Sequence, residues 1–212
     1  MGNVVMFPAH KARKPKTDLA SKQSEDFEVT VFTFKSSNDI FQNNLAHNVK
    51  FKTTKNNSFY SFSNLKYLYE IIKINDIIHA HLFPSFYLVS LLSLFFQRKK
   101  IILTEHNSYN RRRNIKLFKY LDKIIYNRFS SIICISKGVE SSLKDWIGVT
   151  YDTYVIPNFI NVNKIINTSK SKMNFFEGDN NILLCMVGSF SEQKDQLTVI
   201  NALHHLPSKY KL

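Results

Sequence analysis

The stretch from Asp76 to Asn107, DIIHAHLFPSFYLVSLLSLFFQRKKIILTEHN, constrains the fold more than any other. It reads as strand, helix, strand. Asp76–His79 is a short apolar strand that ends in a polar turn carrying His79 and His81. Pro84–Gln97 is apolar nearly all round, which predicts a buried helix. Lys100–Thr104 is a second apolar strand, with Glu105, His106 and Asn107 just past its carboxyl end. Open parallel sheets bind ligands at the carboxyl ends of their strands. Two histidine-bearing turns therefore fall where such a sheet does its chemistry.

The rest of the chain supplies neighbours for this unit. Asn3–Phe7, Phe27–Phe34, Val49–Lys52, Ser131–Ile135 and Thr153–Ile156 are β-branched or apolar runs and are predicted strands. Asp18–Ser24, Ser63–Ile74, Ile115–Arg128 and Lys137–Ile147 are predicted helices, the last capped by Ser136. In Ile115–Arg128 the residues Leu117, Tyr120, Leu121, Ile124 and Ile125 recur at helical spacing and are expected to face the core. Alternating strands and helices predict an α/β fold with a doubly wound, Rossmann-like parallel sheet. Asn158–Asp179 is polar and reads as a linker. Beyond it, Asn181–Val187, a turn at Gly188–Ser191 and a helix from Glu192 to Leu206 form one further βα unit. The expected division is a first domain over residues 1–160, a linker over 161–180, and the incomplete start of a second α/β domain over 181–212.

Charge narrows the partners. The formal net charge is +13, and between Arg98 and Arg128 ten Lys or Arg face only Glu105 and Asp122. A patch of this sign attracts phosphate in a nucleic acid, an anionic membrane face or a phosphorylated substrate. No aromatic-plus-basic RNA motif, zinc spacing or helix-turn-helix pattern accompanies it, so nucleic acid is disfavoured. Cys134 and Cys185 both lie in apolar runs and are expected as buried free thiols, which fits a reducing cytoplasm. The first residues lack the apolar core of a signal peptide. Leu82–Phe96 is apolar over 15 residues, short of the ~20 that span a bilayer. The His79-x-His81 pair has no third ligand at metal spacing, so no metal is expected.

Five segments together, DIIHAH, KKIILTEHN, SSIICISKGVESSLKDWIG, YVIPNFINVNKI and ILLCMVGSFSEQKDQLTVINAL, resemble the family-4 glycosyltransferases in order and spacing. The resemblance runs from about Asp18 to the last residue. It implies the GT-B architecture, two Rossmann-like domains with a cleft between them. It also implies retaining, metal-independent transfer of a sugar from a nucleotide-sugar, which is a substrate; no cofactor is implied. The TEHNSYNRRR stretch is most similar to members that build capsule, O-antigen or related surface polysaccharides on a lipid carrier. Such an enzyme is expected in the cytoplasm, peripheral at the inner face of the plasma membrane.

The resemblance assigns roles residue by residue. His106 matches the histidine that faces the donor sugar. Lys194 matches the lysine on the donor diphosphate, and the turn at Gly188 and Ser189 lies beside it; Ser189 stands where the family usually has an arginine. His81, Glu105, Asn107, Arg111, Arg112 and Arg113 are expected near the acceptor or its phosphates. The family's glycine-rich turn after the first strand is replaced by HKARKPKT, and its two-glutamate donor motif is not found. Donor binding and transfer by this chain are therefore expected to be impaired. The alternatives are an inactive remnant and a basic phosphate- or nucleic-acid-binding module.

Overall fold

The computed structural model describes residues 2–7, 14–34, 45–54, 61–96, 98–148, 151–158, 181–188 and 194–211, with isolated positions 43, 162, 166 and 190. Residues 10–13 of the HKARKPKT segment lie outside them, as do Ser189 and most of the predicted linker, whereas Lys14–Thr17 open the first helix rather than a turn. The chain divides into two compact units, Met1–Asn163 and Lys164–Leu212.

The first unit is built on strands β1 (Asn3–Phe7), β2 (Glu28–Thr33), β3 (Lys50–Thr53), β4 (Ile77–His81), β5 (Lys100–Glu105), β6 (Ser131–Cys134) and β7 (Thr153–Val155). They form one seven-stranded sheet in the order β3-β2-β1-β4-β5-β6-β7. Every pairing is parallel. Strand order reverses between β1 and β4, which makes their carboxyl ends the topological switch point of a doubly wound sheet. The helices are α1 (Lys14–Gln23), α2 (Phe62–Ile74), α3 (Ser85–Ser93), α4 (Lys116–Tyr126) and α5 (Lys137–Ile147). Val4, Met6, Val29 and Val31 pack with Ala20 of α1 on one face of the sheet. The other face buries Val5, Phe32, Ile78 and Leu103 against α2, α3, α4 and α5. The expected cap of α5 forms: Ser136 Oγ accepts from Val139 N–H at 3.3 Å, filling one of the donors that a helix start leaves open.

Three expectations about this unit change. β4 continues through His81, so His79 and His81 are strand residues rather than part of a polar turn, and both are buried. Their separation of two puts both on one sheet face. That is the α1 side, because His79 is in register with Met6. The second change is the orientation of α4. Most of its apolar stripe faces outward: Leu117 is 74% exposed, Tyr120 69% and Ile124 66%, while Ile125 packs against the core as expected. The buried positions are Asp122 and Tyr126. Helical spacing was right, but the side it marks is the outer one. The cause is a polar anchor, described below, that outweighs the apolar stripe. α3 also departs from an all-round buried helix. Its serines Ser85, Ser90 and Ser93 are buried, whereas Leu91 is exposed.

The second unit is a βαβ piece with its own sheet. β8 (Ile182–Leu183), α6 (Gln196–Leu203) and β9 (Tyr210–Lys211) follow in order, and β8 pairs β9 in parallel. The strand β9 was not foreseen; two residues are too few for a periodic signal. Asp195 caps α6 by accepting from Thr198 N–H at 3.3 Å. Cys185 is exposed here rather than buried, and Cys134 is buried in β6 as expected.

Candidate active site at the carboxyl ends of β4 and β5

Parallel pairing sets His81 opposite Thr104. The His79 ring nitrogen Nε2 lies 2.7 Å from Thr104 Oγ1. One step further out, His81 Nδ1 lies 3.2 Å from His106 Nε2. The three imidazoles form a file: ring centroids are 4.2 Å apart for His79 and His81, and 5.5 Å for His81 and His106. His79 and His81 are buried while His106 is partly exposed at the end of the file. Because one of the two facing nitrogens must donate and the other accept, the tautomers of His81 and His106 are coupled. β4 then leaves through Leu82, held at φ +60°, a conformation uncommon for a branched residue.

Glu105 does not join this opening. As the next residue in β5 it points to the opposite face, and its carboxylate is buried. Glu105 Oε2 accepts from the Tyr126 hydroxyl at 2.6 Å. Glu105 Oε1 accepts from the backbone N–H of His106 and of Asn107, each at 3.2 Å. The expected acceptor contact is thus a clamp that holds the turn bearing His106. Asn107 itself is exposed.

The three arginines also separate. Arg112 is interior, its side chain 10% exposed, and its Nε donates to Asp122 Oδ2 at 3.1 Å. It is stacked among Phe83, Phe86 and Tyr87, with ring centroids 5.3, 5.0 and 5.3 Å away. Asp122 also accepts from Trp146 Nε1 at 2.7 Å and from the Tyr87 hydroxyl. Burial lowers the pKa of Arg112, but Tyr126, Asp122 and Tyr87 outweigh it and the net shift is upward. Burial, then Glu105, pushes the Tyr126 hydroxyl well up. Burial, then the Asp122 bond, does the same to Tyr87. Arg113 is tied to Ser108 O at 2.8 Å and to Ser142 Oγ at 2.7 Å. Only Arg111 is exposed. The basic run is therefore not one patch. Arg112 and Arg113 brace the loop, and Lys99 is spent on the Lys73 and Asn75 carbonyls at 2.9 and 2.7 Å.

Asp122, Tyr126, Tyr87 and Trp146 were not singled out from the sequence. Asp122 and Tyr126, four residues apart, share a helical face, and a lone acid in a basic helix was the signal available. In the second unit, Gly188 lies against Lys194: a Cβ added at Gly188 would meet Lys194 Cγ at 3.4 Å. Lys194 is exposed at the start of α6. Among the described residues, no three His, Cys, Asp or Glu side chains converge as a metal requires. No described helix is long and apolar enough to cross a membrane.

A family model, Glycosyltransferase Family 4, matches residues 17–164. No curated protein matches. Among solved structures, HepE of Anabaena in complex with UDP and glucose aligns with a TM-score of 0.77 at 14% identity, covering 100% of this chain and 60% of that one. A putative UDP-N-acetylglucosamine 2-epimerase from Listeria monocytogenes aligns with a TM-score of 0.62 at 14% identity, covering 99% and 61%. A sucrose-phosphate synthase piece from Thermosynechococcus elongatus aligns with a TM-score of 0.53 at 15% identity, covering 77% of this chain and 92% of that one. At such identities the likeness is one of fold, and it is the GT-B type. The match to the family model spans more than half of the 212 residues, and the chain belongs to glycosyltransferase family 4.

Proposed function

We propose that the chain carries the acceptor-side domain and the opening of the donor-side domain of a glycosyltransferase. Such an enzyme moves a sugar from a nucleotide-sugar to a surface-polysaccharide or lipid-linked acceptor, with retention and without a metal, and in this chain donor binding and transfer are impaired. The observation that carries this reading is the His81–His106 pair at the carboxyl ends of β4 and β5, beside the switch point of a family-4 sheet. HepE, crystallised with UDP and glucose and with UDP-glucose, supports a UDP-sugar as donor class.

In this reading the exposed end of the histidine file is a hydrogen-bond partner for the donor sugar. His81 bonds the His106 ring and Glu105 holds the turn, so the ring is oriented before substrate arrives. Lys194, with Gly188 leaving room beside it, meets the donor diphosphate and stabilises the charge of the leaving group. Arg111 and Asn107 are the exposed groups left for an acceptor. A lipid-linked acceptor puts the enzyme at the inner face of the plasma membrane.

The test is ligand-observed saturation-transfer NMR with UDP-glucose at millimolar concentration. The expected result, given impaired donor binding, is weak saturation transfer to the sugar protons that His106→Ala removes. Transfer that His106→Ala leaves unchanged, or none in the wild type, rejects the reading.

A further inference from the structure

The outward surface of α3 and α4 has no place in the sugar-transfer chemistry. On α4, Leu117, Tyr120, Leu121 and Ile124 stand at spacings i, i+3, i+4 and i+7, and all four are exposed. That is a whole apolar face turned to the outside. The adjoining helix repeats the pattern. Ser90 Oγ of α3 donates to the Ile125 carbonyl of α4 at 3.2 Å, and Leu91 of α3 and, just past its end, Leu94 and Phe95 are exposed. Large contiguous apolar patches are uncommon on soluble chains and mark interaction sites.

The charges decide the partner. Lys116 and Lys123 flank the stripe and are exposed. The single acid of α4, Asp122, is turned inward and bound to Arg112, so it cancels none of the outer charge. α3 has no acid at all. A helix face of leucine, isoleucine and tyrosine edged by lysine, with the one carboxylate of these two helices turned inward, is complementary to an anionic bilayer. A second copy of this chain would bring lysine against lysine.

We propose that this α3–α4 surface seats on an anionic lipid bilayer, with Leu117, Tyr120 and Ile124 entering the headgroup boundary and Lys116 and Lys123 on the phosphates. This contact rests on the lipid-linked acceptor proposed above but needs no substrate. Its polar anchor explains why the stripe stays outside: Asp122 and Tyr126 fix the helix rotation whether or not a membrane is present.

Vesicle flotation of the full chain, without nucleotide-sugar, tests it. The expected result is flotation with vesicles of phosphatidylglycerol in phosphatidylcholine and little with phosphatidylcholine alone. The double substitution Leu117→Ser with Ile124→Ser lowers binding at least ~10-fold. Lys116→Gln and Lys123→Gln each lower it about fivefold. Thermal unfolding of each variant confirms that it is folded. Absence of flotation, or flotation indifferent to the serine pair, overturns the proposal. So does a wild-type dimer in sedimentation velocity that the serine pair makes monomeric while vesicles stay bare. Vesicle binding together with no UDP-glucose response sinks the donor reading and leaves the surface; the reverse sinks the surface alone.

Discussion

The Tyr126 hydroxyl donates to Glu105 Oε2 at 2.6 Å, joining the inner side of α4 to the carboxyl end of β5. Because Glu105 Oε1 takes the backbone N–H groups of His106 and Asn107, the bond reaches the turn that carries the candidate sugar contact. Tyr126→Phe removes the donor and leaves a buried carboxylate short of one partner. The expected cost is ~1–3 kcal/mol, read by urea unfolding. An unchanged midpoint contradicts the clamp.

Asp122 gathers three donors, from Arg112, Trp146 and Tyr87. Asp122→Ala strands the Arg112 guanidinium in the interior, which costs ~3–5 kcal/mol for a broken buried pair. Set against a typical total of ~5–15 kcal/mol, the variant should unfold far below the wild-type temperature in a thermal melt. A shift no larger than that of a surface substitution would show that the anchor is not buried.

The rotation of α4 gives the opposite expectation for its apolar stripe. Leu117→Ser alters an exposed side chain and should change stability by no more than ~0.5 kcal/mol. If Leu117 were packed inward, the same change would cost several kcal/mol. Chemical denaturation of this one variant separates the two orientations.

The two thiols should react differently. Burial, then Glu105, pushes the Cys134 thiol up from 9.0 to about 11, while Cys185 is exposed. A thiol reagent under native conditions should modify Cys185 and spare Cys134 until the chain unfolds. The fold favours the neutral Cys134 thiol. Its contribution is whole below pH 9 and is lost as pH rises towards about 11; Tyr126 and Tyr87, also raised, act in the same direction. Melting temperature should therefore fall across that alkaline window. Modification of Cys134 in the native protein contradicts the burial.

Much of the sheet was legible in the sequence because its strands are β-branched runs with period two or full burial, and because parallel topology follows from their alternation with helices. The placement of His106 at a strand end was legible for the same reason. What escaped was sidedness. The spacing of Leu117, Tyr120, Leu121 and Ile124 marks a stripe but not the side it faces. That was set by Asp122, whose partners come from α3, the 3₁₀ turn Arg111–Asn114 and α5. The roles of Arg112 and Arg113 were hidden likewise, since three consecutive arginines look alike until the loop is folded over Phe86 and Ser142. His81 looked like a turn residue because nothing local says that β4 runs two residues longer.

The histidine file is the centre of this account, and long-range proton–nitrogen NMR of the imidazole rings observes it directly. On addition of UDP-glucose at millimolar concentration, the His106 ring should shift most, His81 should follow through their shared hydrogen bond, and His204 and His205, just past the end of α6, should stay put. A His106 ring that does not respond while nucleotide-sugar signals elsewhere in the protein do would contradict the assignment of this site.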